Sequence, residues 1–259
     1  MADIDDASSR VFARFYEYLG TLPAMVSFQR YVRRYGVPLA LSADKHTTYQ
    51  SSAEPTVEEQ LAGRKPQSQC GRALSELGVE LLAAQSPQAK GRVERLFKTF
   101  QDRLSTELRL AGITTIEDAN RFMDGYLRLH NRRFAVPPAQ AADLHRPQPL
   151  VRDLDRCLCR KTPRCRRKDF TIAHEGRLYQ IHETIRAPHV LVEARVDGTL
   201  WISHQGRPLG FHTITSRPLK AAAVKPVPPL RRPVTPRPEH PWRKRLLQER
   251  GRHAAAAGP

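Results

Sequence analysis

Apolar residues change their spacing partway along this chain, and that change limits the fold more than any single motif does. In the first half they recur at helical intervals. Met25, Phe28, Tyr31, Val32 and Tyr35 form one stripe, Val93, Leu96, Phe97, Phe100, Leu104 and Leu108 a second, and Ile116, Ala119, Phe122, Met123, Tyr126 and Leu127 a third. Beyond about residue 168 they alternate instead, as in Val190, Val192, Ala194 and Val196, with turn signals at Glu175-Gly176, Asp197-Gly198 and Gln205-Gly206. The two periods place their side chains on incompatible faces, so a mixed α/β part is expected first and an all-β part second.

Within the first part, residues 4–19 read as two strands around a polar turn, and residues 23–35 as a helix stopped by Gly36 and Pro38. A strand over 37–43, a polar connection over 45–69, a short helix over 70–77 and a strand over 79–84 complete a βαβαβ rhythm, which predicts an α/β sandwich. A long helix is expected over 88–110, and another from Thr115, where Asp118 takes the Glu role of a capping box. A Pro-interrupted, Arg-rich link over 147–168 leads to residues 168–219, read as a small all-β barrel of about five strands, with Tyr179 and Trp201 placed in its core by alternation rather than as base-stacking platforms, the alternative reading. The tail over 220–259 holds eight prolines and ten Lys+Arg, which predicts an extended, disordered basic arm.

Charge is as uneven as periodicity. The net charge is +17; residues 1–150 hold 20 Lys+Arg against 17 Asp+Glu, and residues 151–259 hold 23 against 9. A field of that sign draws polyanions by counterion release, so nucleic acid is the first partner to expect and an anionic membrane surface the second. No run of about 18 apolar residues occurs and residues 1–6 are acidic, so neither a membrane span nor a signal peptide is expected, and the cytoplasm is the expected compartment. Four cysteines do not make a disulfide framework, and Cys157, Cys159 and Cys165 lack the paired spacing of a zinc site.

Two carboxylates stand out by position, Asp44 after the apolar strand and Glu94 on the first turns of the long helix. Such a pair can hold divalent cations through oxygen, and two ions about 4 Å apart clamp the attacking and leaving oxygens of a phosphodiester displacement. Position alone does not separate this from a solvated helix face on which Glu94 pairs with Lys90. The segment Ser86-Pro87-Gln88-Ala89-Lys90-Gly91-Arg92-Val93-Glu94-Arg95 resembles the signature around the last acidic residue of DDE-type insertion-sequence transposases and retroviral integrases. Asp44-Lys45-His46-Thr47-Thr48-Tyr49 resembles the strand end that carries their second Asp.

The resemblance implies an incomplete RNase H-like integrase core over 1–112, a helical extension over 113–148, a basic linker over 149–167, a DNA-binding SH3-like β-barrel over 168–219 and the tail over 220–259. It implies that Asp44 and Glu94 are catalytic residues and metal ligands, the second and third of three carboxylates that in the intact family hold two Mg2+ ions, for which Mn2+ can substitute. Lys90, Arg92 and Arg95 would then grip phosphates near the cleavage point, unless they are simply the wet side of the helix, and Arg164, Arg166, Arg167 and Lys168 would hold the DNA backbone. In the family, a water and then a DNA 3′-hydroxyl attack a phosphodiester in line. The implied partners are the element's terminal repeats, target DNA and a second copy of the chain. The family's first catalytic Asp precedes the strand that opens this chain, and Asp3, Asp5 and Asp6 read as turn residues, the alternative being that one of them replaces that ligand. An N-terminally truncated, catalytically incomplete transposase is therefore expected. The rivals are a non-catalytic DNA-binding remnant that regulates transposition, and a structural RNA-binding protein, which the basic tail favours and the 86–95 segment does not.

Overall fold

The computed structural model describes residues 1–43, 47–51, 53–55, 57–61, 63, 65–83, 87–216, 237 and 239–241, without the side chains of residues 58, 59, 83 and 87–90. The chain divides into two compact units, Met1–Arg217 and Pro218–Pro259. In the second unit only residues 237 and 239–241 are described, so the expected disordered tail lies almost wholly outside the described residues.

The first unit opens with a hairpin, as expected. β1 (Ala2–Ile4) pairs antiparallel with β2 (Val11–Ala13), and the Asp5 carboxylate caps the turn by accepting from the Ser8 amide at 2.9 Å. Asp3 is a correction: it belongs to β1 opposite Phe12, not to the turn. Helix α1 (Thr21–Tyr35) stops at Gly36, whose φ of +94° is open only to glycine without strain. The next residue leaves the helix by pairing its backbone with Arg146 in an isolated antiparallel bridge. The strand read over 37–43 is thereby shortened to β3 (Ala40–Ala43), because Pro38 has no N–H with which to continue a ladder.

Two helices, α2 (Val57–Leu61) and α3 (Gln69–Glu76), carry the chain across to β4 (Glu80–Ala83), which runs parallel to β3 with Ala43 opposite Ala83. Ser68 starts α3 by accepting from the Gly71 amide at 3.0 Å. The βαβ unit is thus formed, but β1–β2 and β3–β4 are two separate two-stranded sheets, not one continuous sheet.

The long helix consists of α4 (Pro87–Thr99), a π turn at Phe100–Leu104 and α5 (Ser105–Leu110). Its apolar residues Leu96, Phe100, Leu104 and Leu108 recur every four positions, which in a regular α-helix drifts by about 40° per step, and the wider π turn takes some of that drift back. Helix α6 (Ile116–Phe134) begins as expected at Thr115, whose hydroxyl accepts from the Asp118 amide at 3.1 Å. The return arm differs from a capping box, since the short Asp118 carboxylate takes the Thr115 hydroxyl at 2.7 Å in place of the backbone N–H. Leu96, Phe100 and Leu104 from the long helix, Met123, Tyr126 and Leu127 from α6, and Val11 and Ala13 from β2 bury one another in one core. A second core joins Met25, Phe28 and Val32 of α1 to Ala73 and Leu74 of α3.

The stretch read as a link is structured: it holds α7 (Val151–Cys157) and β5 (Cys159–Cys165). Leu154 and Leu158 are 0% and 1% exposed and belong to the α1–α3 core. Gln69 fixes β5 to α3, donating to the Lys161 carbonyl and accepting from the Lys161 amide, both at 2.9 Å.

Six further strands follow: β6 (Thr171–His174), β7 (Arg177–Ile181), β8 (His189–Arg195), β9 (Leu200–His204), β10 (Arg207–Leu209) and β11 (Phe211–Ile214). They do not close the expected barrel. One sheet has the order β10-β9-β8-β5 and the other β11-β7-β6, and both contribute to a third core of Ile172, Tyr179, Ile181, Val190, Val192 and Ile202. The chain changes sheet three times, near Phe170 with its φ of +60°, between β7 and β8, and at Gly210 between β10 and β11, and the two sheets share side chains but no ladder. The turns at Glu175-Gly176 and Gln205-Gly206 put both central residues at positive φ, as a two-residue hairpin turn requires. Asp197-Gly198 differs: Arg195 donates to the Thr199 carbonyl, leaving a three-residue loop in which only Gly198 has positive φ. Among the described residues no helix is long and apolar enough to cross a membrane.

Candidate functional site

The parallel pairing of β3 and β4 places their C-terminal ends side by side, and three residues separate the end of β4 from the start of α4. Residues that follow β3 and residues on the first turns of α4 therefore leave the same end of the strand pair. Asp44, the first residue after β3, lies outside the described residues, as do Lys45, His46 and Ser86. Glu94 is described. It sits near the middle of α4 with an exposed side chain that makes no hydrogen bond or ion pair within the described residues. Its carboxylate oxygens are thus free to accept. Among the described residues no group of three or more His, Cys, Asp and Glu side chains could hold a metal ion.

The three cations expected around Glu94 divide. The Lys90 side chain lies outside the described residues. Arg92 reaches the β1–β2 turn, forming an ion pair with Asp6 at 2.7 Å and donating to the Asp6 carbonyl. Arg95 is exposed and turns back along its own helix to donate to the Gly91 carbonyl at 3.1 Å.

A cavity of about 300 Å3 is walled chiefly by α1 and α3, through Met25, Phe28, Ala73 and Leu74, with Asp3 of β1, Leu41 of β3 and Phe97 of α4 at its border. The half-buried Asp3 carboxyl borders this apolar space, and its loss of hydration pushes its pKa up to about 6, with the Met1 amino group opposing. The sequence offered Asp3 only as a turn residue or a replacement ligand, since an Asp beside a polar turn is ordinarily part of the turn.

The second cationic region is built on a strut. Arg166 donates its Nε to the Ala187 carbonyl at 2.9 Å and its backbone N–H to the Pro188 carbonyl at 2.7 Å, and its guanidinium lies 4.8 Å from the Phe170 ring. Arg164 turns inward to His174 Nδ1 at 3.3 Å. Burial, then the charges of Arg164 and Arg160, hold the His174 pKa below its ordinary value, so the ring is neutral and able to accept. Two of the four expected DNA contacts therefore support the fold. The other two, Arg167 and Lys168, are exposed with no side-chain hydrogen bond or ion pair among the described residues. The strut brings them beside the 186–188 loop, whose Arg186 is also exposed and was not singled out from sequence because it stands alone between Ile185 and Ala187.

Trp201 is a further correction. Alternation along β9 was expected to bury it, yet it is 41% exposed, with the Arg195 guanidinium 4.1 Å from its ring; Tyr179 is buried as expected. The residue after it, Ile202, is 0% exposed and faces the shared core, whereas Trp201 lies on the opposite face, which is covered at its neighbours Ser203 and Glu193, 6% and 3% exposed, but open at Trp201.

No protein-family model matches the chain. It is 34% identical over 215 residues to a Sinorhizobium fredii protein named "Putative transposase y4bF", a match covering 80% of this chain and 46% of that protein. It is 30% identical over 254 residues to "Transposase for insertion sequence IS1202" of Streptococcus pneumoniae, covering 93% of this chain and 53% of that protein. The chain spans about half the length of the curated relatives it matches.

Proposed function

The chain is a relative of insertion-sequence transposases along most of its length, and we propose that it is a DNA-binding part of such an enzyme that does not by itself complete the catalytic carboxylate set. The observation that carries the DNA reading is the uncommitted trio Arg167, Lys168 and Arg186, held together by the Arg166 strut within the half of the chain that holds 23 Lys+Arg against 9 Asp+Glu. Guanidinium and ammonium groups with no internal partner meet backbone phosphates without breaking anything in the fold.

The first part of the chain is then RNase H-like. This reading is supported by the parallel β3–β4 pair joined through α3 and followed by the long helix. The two sheets around the Ile172–Ile202 core correspond to an SH3-like module. Asp44 and Glu94 are the second and third carboxylates of the metal site, and the exposed, unpaired oxygens of Glu94 suit a hard cation such as Mg2+ or Mn2+. When bound, such ions stabilise charge on the transferring phosphoryl group. This sequence supplies two of the three carboxylates the resemblance requires. Terminal repeats, target DNA and a second copy of the chain are the expected partners, because joining two ends takes two sites.

A salt titration tests the DNA reading. Binding of the full chain to labelled duplex should weaken steeply with salt, and replacing Arg167, Lys168 and Arg186 with Ser should reduce the slope of log K against log salt by roughly 0.9 for each lost contact. Binding that ignores salt, or a slope the triple variant leaves unchanged, would contradict it.

A further inference from the structure

We propose that Trp201, set against Arg195, is a stacking site for an unpaired DNA base, an inference that rests on the DNA-binding reading. An indole 41% exposed in a strand whose next residue is wholly buried costs apolar contact with water unless something covers it. What lies against it is a cation: the Arg195 guanidinium sits 4.1 Å from the ring, and Arg195 Nε is buried with no hydrogen-bond partner. Beside Trp201, its cross-strand partner Glu193 is 3% exposed and accepts from the Ser203 hydroxyl at 2.9 Å, and no hydrogen bond or ion pair among the described residues joins it to Arg195.

The result is a part-exposed indole with a guanidinium over one of its faces, leaving the other face for a ligand, in the part of the chain that carries most of the net charge. A planar, electron-rich ring attached to a phosphate chain complements both features. In a duplex the faces of the bases are covered by their neighbours, so the ligand is a base free of the stack, in single-stranded DNA or at a frayed or cut end. Every base has such a face, and the site is therefore tolerant of sequence.

The test uses the full chain with its other tryptophan removed by Trp242→Phe, so that emission reports Trp201 alone. Adding a single-stranded oligonucleotide should quench the emission, and the blunt duplex of the same sequence should quench it much less. Trp201→Ala should weaken single-strand binding by about 5- to 150-fold while leaving duplex binding within about twofold, and Trp201→Phe should restore most of the loss. DNA binding with unchanged Trp201 emission, or equal losses for both DNA forms, would overturn the stacking site alone. Failure of the Trp242→Phe protein to bind either form would overturn the DNA-binding reading and this inference with it.

Discussion

Two asparagines of α6 serve β2 as a neighbouring strand would. Asn131 accepts from the Val11 amide at 2.8 Å and donates to the Val11 carbonyl at 2.9 Å, and Asn120 does the same for Phe15 at 2.9 and 3.0 Å. Eleven helical residues rise about 17 Å and four extended ones about 13 Å, so the two clamps run roughly alongside the strand edge. Asn131→Ala leaves a donor and an acceptor unmet and should cost about 1–3 kcal/mol in chemical denaturation; an unchanged midpoint would show that water replaces the clamp. Asp3 gives a second expectation, in pH. Its folded pKa, about 6, lies above its ordinary value of 3.8, so the stability it allows is present in full below about 3.8 and is lost as pH rises through about 6. Asp3→Asn should flatten that slope and be the more stable protein at pH 7.5, by up to about 3 kcal/mol. A variant no more stable there than the parent would place Asp3 in bulk water. Neither feature was legible in the sequence, because an Asn clamp and a half-buried Asp depend on partners about a hundred residues away or on a cavity, and local pattern carries no trace of either.

At the scale of elements the sequence said more. The opening hairpin, the α1 helix, the β3–α3–β4 crossover, the long helix, α6 and the later hairpins all follow from apolar period and turn residues, which act locally. What it missed was how strands group. Residues 159–165, written with three basic residues and a proline, read as a link, yet they form β5 because β8 pairs with them along seven positions and Gln69 binds Lys161 from the other side. Trp201 was misplaced for a related reason: alternation says which residues share a face, not which face is covered. The junction of α1 with the Val37–Arg146 bridge offers a clean test. A Cβ at Gly36 would stand 2.6 Å from the Arg146 carbonyl oxygen, at a φ of +94°. Gly36→Ala should therefore destabilise by about 2 kcal/mol or more, and an unaltered denaturation midpoint would mean that the bridge does not form in solution.

Across the whole first unit, the basic half cannot be cut from the rest. Leu154 and Leu158 fill the α1–α3 core, and losing one such leucine costs about 2–5 kcal/mol, so a chain ended at residue 150 should lose cooperative unfolding in a thermal melt. A sharp, parent-like transition in that fragment would contradict the shared core. The candidate catalytic site was legible at a different level: Glu94 and the flanking segment were identified by resemblance, and the described residues place that carboxylate exposed and unpaired, with Asp44 outside them. Arg164 and Arg166 were chosen for charge and turn out to hold the fold, which charge alone could not have distinguished from Arg167 and Lys168. The most direct measurement of the central claim is a single gel. The chain is incubated with Mg2+ or Mn2+ and labelled terminal-repeat DNA from its own insertion sequence. The account predicts a shifted, salt-sensitive DNA complex and no joined strands; joined products that vanish on Asp44→Ala or Glu94→Ala would contradict it.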